Sequence, residues 1–292
     1  MSKPFRITPA IDKLLRGSED MPVGLYQLHI ATIEQLTRLH YSTKSSKWVG
    51  KHLKALADNG YVQADMKPTK GPRGPNFYTL TNRGLRNLAS LHVDVREARV
   101  DGTLKHYLLI DHMLELNDLL IAAALLKRFR ASIYLHSFMH EQVLKRRPYK
   151  STWQDKAGKT QTYTIIPAAL LTFCVRQQSG QSEYRRVLLE HDHELLEEEH
   201  HFRRRIRAYI SLLNRQKPMP VAFTTFKGSQ RLGQMRKWTW QELHATQEPV
   251  GLGSLFRFGS FTRPLEPCDV WVEPIWYTPY DEHEPRALLG EG

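Results

Sequence analysis

The chain has 292 residues, 41% of them hydrophobic and 25% charged, a balance that suits ordinary globular domains and leaves enough chain for two cores. A net charge of +12 and a pI near 9.7 call for an acidic partner, and DNA, RNA and anionic membrane all qualify. The membrane is the weakest of these: the longest apolar run, Leu119–Leu126, falls far short of the ~18 residues a spanning helix needs, and Met1–Arg6 lacks the apolar stretch of a secretion signal. Cys174 and Cys268 form no CxxC pair, which excludes a cysteine-built zinc site and argues against a disulfide framework; a reducing cytoplasm is expected.

The positive charge is concentrated at one end. Residues 1–90 hold 14 Lys/Arg against 6 Asp/Glu, an excess of eight out of twelve in less than a third of the chain. Ile7, Ile11, Leu14 and Leu15 are at helical spacing before Gly17, and Tyr26–Ile30 reads as a brief strand. Thr32-Ile-Glu-Gln35 has the form of a capping box opening a helix that buries Ile33, Leu36 and Leu39. A further helix starts at Ser45 or Ser46 and stops at Asn59-Gly60. At 100° per residue, Val49, Leu53 and Leu56 share one sector, and Lys47, Lys51 and Lys54 the opposite one. Such a helix packs one face inward and offers ammonium groups to phosphates along the other.

Tyr61–Met66 and Asn76–Leu80 read as two strands joined by a Gly/Pro-rich basic tip carrying Lys67, Lys70 and Arg73. Thr81 then caps a helix with Leu85 and Leu88 inward. Helix, helix, basic helix, two-stranded wing, helix is the order of a winged helix-turn-helix, assigned to residues 1–92. The candidate DNA-binding residues are Lys44, Ser45, Ser46, Lys47, Trp48, Lys51 and Lys54 on the basic helix and Lys67, Lys70 and Arg73 on the wing. Ser45, Ser46 and Trp48, at the helix start, are the candidates for contacting base edges.

Residues 93–130 are read as a linker followed by a connecting helix over Leu104–Phe129. From 131 to 292 the pattern is an α/β (α+β) domain, with strands at Ile133–Leu135, Ile165–Val175, Tyr184–Glu190, Val221–Phe226 and Asp269–Pro274 and a helix over Glu194–Leu213. Its Glu197–Glu199 and Arg203–Arg205 runs follow the helix dipole and read as a solvated face. Glu190 and Asp192 share one face of a strand, with Glu141 as a third carboxylate, so a Mg²⁺ site is one candidate; pairing with arginines of the 203–207 run is the other. His191, His193, His200 and His201 cluster nearby without an evident third zinc ligand at fixed geometry.

The N-terminal winged-helix pattern, Ile165-Ile-Pro-Ala168, Leu188-Leu-Glu-His-Asp192 and Ile206-Arg-Ala-Tyr209 together resemble the replication-relaxation family, whose members are associated with plasmid replication, relaxation and mobilisation. Val221–Thr225 and Glu273–Trp276 fit the same pattern. The resemblance implies a second domain similar to the restriction-endonuclease-like core, in which an Asp after the Pro and an acidic pair on the next strand hold a metal. Here Ala168 follows Pro167, and Asp192 stands where such a nuclease keeps a lysine, so that core is expected to be degenerate, without catalytic residues or cofactor. The expected partners are double-stranded DNA, a relaxase or replication protein, and a second copy of the chain as a homodimer, with no membrane. A metal-dependent endonuclease and a transcriptional regulator are the alternative functions.

Overall fold

The computed structural model describes residues 20–41, 43–66, 76–91, 93, 95, 107–155, 157–177, 179–192, 198–215, 218–247, 250–280 and 284–289. The chain is mixed α/β and divides into two compact units, 1–121 and 122–292. The helix expected over Ile7–Leu15 lies outside the described residues, as does the stretch 67–75 that contains Lys67, Lys70 and Arg73.

The first unit opens with α1 (Asp20–Leu28). The sequence pattern suggests a strand over Tyr26–Ile30, but Met21, Leu25 and Leu28 fall at helical spacing and are all buried, while Gly24 lets the helix pass close to His40. That packing outweighs the short period-two pattern. After β1 (Ala31–Thr32) the expected capping box opens α2 (Ile33–His40): the Gln35 N–H donates to Thr32 Oγ1 and the Thr32 N–H to Gln35 Oε1, each at 3.2 Å. A 3₁₀ turn (Thr43–Ser45) leads into α3 (Ser46–Asp58), followed by β2 (Val62–Met66), β3 (Asn76–Leu80) and α4 (Asn82–Ser90). The three strands pair antiparallel in the order β1-β3-β2.

The long helix α5 (Tyr107–Leu125) contributes to this unit more than a connector would. Ile110, Met113 and Leu114 cluster with Ile30 and Phe77. The Gln35 side-chain amide, already part of the capping box, donates to Leu114 O at 2.7 Å and to Asp118 Oδ1 at 3.1 Å. The Asn117 amide donates to the carbonyls of Leu28, at the end of α1, and Ile30, just past it; Leu28 O also accepts from the Ile30 N–H at 2.7 Å. The unit boundary falls inside α5, after Ile121.

In the second unit a five-stranded sheet has the order β10-β9-β8-β7-β4. Strands β4 (Ile133–His140), β7 (Ala169–Arg176) and β8 (Ser182–Asp192) are antiparallel neighbours. From β8 the chain runs through α7 (Glu199–Leu213) to β9 (Val221–Thr225), then through α8 (Gly228–Ala245) to β10 (Phe256–Ser260), and these strands pair parallel. A short α6 (Glu141–Leu144) and the hairpin β5 (Tyr149–Gln154) and β6 (Thr160–Ile165) are inserted between β4 and β7. Phe202, Ile206, Tyr209, Met235 and Leu243 of the two long helices share one core with Leu188, Phe223, Phe256 and Phe258 of the sheet. Fully buried Trp271 and Trp276, with Phe173 and Phe261, form a second aromatic cluster.

Two sequence expectations need correction here. Ile165–Val175 is not one strand: β6 ends at Ile165, paired with Tyr149, and β7 starts at Ala169, because Pro167 has no N–H to continue a ladder. Asp269–Pro274 is not a strand either; Pro267 fits the first turn of α9 (Pro267–Trp271). The helix expected from Glu194 begins at Glu199 among the described residues, and 193–197 lie outside them.

Gly84 marks the tightest junction of the first unit. Its N–H donates to the Thr81 cap at 3.1 Å, and a Cβ there would run into the carbonyl oxygen of Tyr61. Gly84→Ala is expected to destabilise the protein by about 1–3 kcal/mol, read as a lowered melting temperature of the full chain by circular dichroism.

Candidate nucleic-acid interface

The basic helix α3 is built on a two-faced pattern. Val49, Leu53 and Leu56 are buried, and Gly50 brings the helix close to Ile33 of α2. On the other side Lys44, Lys47, Lys51 and Lys54 are exposed, and Ser45 and Ser46 are half-exposed. Lys54 is held by Asp58 one turn on, at 2.8 Å. Ser45 is the N-cap residue, but its hydroxyl makes no capping bond, so no serine side chain closes off the first-turn N–H groups.

Trp48 sits at the start of this face and is 38% exposed. It is positioned from both sides: its ring lies 3.8 Å, centroid to centroid, from His52 and edge-on to Tyr41 at 5.2 Å. His52 Nδ1 lies 2.9 Å from the Trp48 carbonyl, which only accepts, so Nδ1 carries the proton. His52 and Tyr41 carry no signal in the helical-wheel reading of the lysines.

The carboxylates of the second unit occupy a different environment. Glu190, His191 and Asp192, at the end of β8, are each 5% exposed or less. Glu190 accepts from the Tyr209 hydroxyl and from Arg205 at 3.3 Å. Asp192 is gripped by both Nε (2.9 Å) and Nη2 (2.8 Å) of buried Arg231, a bidentate geometry. Glu242, 1% exposed on α8, faces both Arg203 and Arg207. His191 Nδ1 lies 3.1 Å from Thr224 Oγ1; that hydroxyl donates to the Glu190 carbonyl, so it accepts from His191.

The structure does not bring Glu141, Glu190 and Asp192 together as ligands. Glu141 pairs with Lys145, and each of the other two faces its own guanidinium. Among the described residues, no three His, Cys, Asp or Glu side chains converge as a metal site would require. His193 lies outside the described residues, and His200 stacks on His201 and pairs with Glu198. The β7–β8 register pairs Ala169 with Leu189, so one step further Ala168 falls opposite Glu190. The partnership of Glu190 with Arg205 was legible in the arginine run; Arg231 was not, because no apolar period marks α8 in the sequence.

Burial first, and then the adjacent charge of Glu190, hold the Tyr209 phenol well above its ordinary value. It therefore stays a donor to Glu190. A raised folded-state value means that this contribution is present below about pH 10 and is lost as pH climbs toward the folded value. Tyr209→Phe is expected to flatten the fall in stability above about pH 10 in urea titrations. Asp192→Asn breaks a buried pair and is expected to cost about 3–5 kcal/mol, whereas Asp192→Leu combined with Arg231→Met restores most of it in the same titration.

No curated protein and no solved structure matches the chain. A family model described as replication-relaxation matches residues 24–224, more than half of the chain, from within α1 to within β9. That span takes in α3, Glu190, Asp192, Arg205 and Tyr209 and stops short of Arg231. The chain belongs to the replication-relaxation family.

Proposed function

We propose that this protein binds double-stranded DNA through the exposed face of α3, in the replication, relaxation or conjugative transfer of a plasmid or other mobile element. The observation that carries the reading is the division of α3 into a buried apolar stripe and an opposite face bearing Lys47, Lys51 and Trp48, with Lys44 exposed in the turn before it. A helix so divided, preceded by α2 and followed by the antiparallel pair β2–β3, supports a winged helix-turn-helix with α3 as the groove-reading helix. Lys67, Lys70 and Arg73 would then extend the interface along the DNA backbone, and Ser45, Ser46 and Trp48 would face base edges. Family membership supplies the process, and the charge of the first unit supplies the polyanion.

In this reading the second unit is a nuclease-like platform that embraces DNA or docks a relaxase or replication protein. The divalent cation of such a fold does not fit these residues, because guanidinium groups already face Glu190 and Asp192, and Ala168 stands opposite Glu190. Plasmid nicking that depends on Mg²⁺ or Mn²⁺ and disappears in Glu190→Ala would overturn the platform reading and assign an endonuclease.

Replacing Lys47 and Lys51 with Ala is expected to leave the melting temperature unchanged. It should weaken duplex binding and make the slope of log K against log salt shallower by about 0.9 for each phosphate that is no longer neutralised. Fluorescence anisotropy with a labelled duplex at several salt concentrations checks this, and unchanged affinity and slope refute it. Trp48→Ala is expected to alter preference among duplex sequences more than bulk affinity.

A further inference from the structure

The second unit carries a basic surface that the reading above does not use. Residues 91–292 hold 28 Lys/Arg against 24 Asp/Glu, an excess of four. Lys145, Arg146, Arg147 and Lys150 supply four positive charges within six residues, with no acid among them. All four are exposed, in the turn between α6 and β5 and at the start of β5.

The topology fixes where this turn sits. Strands β8, β9 and β10 are parallel, and β4 ends, and β7 begins, at the edge where those three strands have their carboxyl ends. Helix α6 is tied to that edge by the bond from the Glu141 N–H to Ala168 O at 2.9 Å. From there the chain leaves the edge: β5 runs along α7, with Ser151 Oγ donating to Ala208 O at 2.8 Å and Arg215 to Thr152 O at 3.0 Å, so the Lys145–Lys150 turn lies between that edge and the C-terminal half of α7.

The charge balance there is one-sided. Glu190 and Asp192 are internally matched by Arg205 and Arg231, Glu141 by Lys145 and Glu199 by Arg203. The side chains of Arg147 and Lys150 have no hydrogen-bond or ion-pair partner among the described residues. Among the described residues of this unit the exposed aromatic rings are Phe129, Tyr184 and Trp240, none of them in the turn, and Tyr149, which is in it, packs against the core. A surface of cations without a stacking platform suits the phosphates of a duplex better than a single strand, which is held by base stacking.

We infer that the Lys145–Lys150 turn is a second duplex-DNA contact that grips the phosphate backbone independently of α3. It rests on the DNA-binding reading of the protein but not on α3 itself.

The test is anisotropy of the full chain on a labelled random-sequence duplex across a salt series. Arg146→Ser, Arg147→Ser and Lys150→Ser together are expected to lower affinity about five-fold or more at low salt. The salt slope should become shallower by roughly two. The same weakening is expected in a Lys47→Ala, Lys51→Ala background, which separates this surface from that of α3. Arg146→Lys with Arg147→Lys keeps the charge and is expected to keep the binding. In the unmodified protein, Lys150 is expected to be shielded from amine acetylation when duplex is bound, a readout that needs no variant to fold. Unchanged affinity and slope in both backgrounds, an effect on single strands alone, an equal weakening in the lysine variant, or full acetylation of Lys150 on the duplex would each overturn the inference.

Discussion

A carboxylate taken out of water is costly unless a cation and hydrogen bonds meet it, and the described residues of the second unit include three that are buried: Glu190, Asp192 and Glu242. Each is answered by guanidinium groups from a long helix. Glu190 draws Arg205 and Tyr209 from α7, Asp192 draws Arg231 from α8, and Glu242 on α8 draws Arg203 and Arg207 from α7. These pairs therefore join the end of β8 to both helices and the helices to each other. The apolar core beneath sets the packing; the ion pairs set which turn of each helix stands over which strand. Replacing such pairs by apolar groups is often neutral for stability, so their value lies in fixing one arrangement.

The same constraint changes what the acidic pair on β8 can do. Two carboxylates at the carboxyl end of a strand are a plausible ligand set on sequence alone, because spacing places them on one face. Geometry adds that the space a cation would take is filled by the protein's own cations.

Much of the first unit was legible because its signals are local. The Thr32–Gln35 box, the Val49/Leu53/Leu56 stripe and the Thr81 cap depend on residues within one or two turns. The misreading at Tyr26–Ile30 arose where a short alternation competed with Met21, Leu25 and Leu28, and tertiary burial decided for the helix. Helix α8 was missed because its buried face includes Arg231, Thr239 and Glu242, which break the apolar period that a sequence reading follows. The β5–β6 hairpin alternates polar and aromatic residues against α7 rather than against the main sheet, so its strands carry no strong hydrophobic signature. Of the candidate interface, the lysine row was readable from the helical wheel, whereas the stacking of Trp48 on His52 and Tyr41 depends on side-chain packing that spacing does not encode.

The docking of α5 has a practical bearing on where the chain can be divided. Composition suggests a cut near residue 92, in a polar stretch of mixed charge. Such a fragment would lack Ile110, Met113 and Leu114, uncovering Ile30 and Phe77, and would strip the Leu28 and Ile30 carbonyls of their amide donor. The Gln35 amide and Arg38 would be parted from their partners on the same helix face. A fragment that keeps these contacts therefore extends at least through Asp118, and anything shorter exposes apolar and polar groups that the intact unit buries.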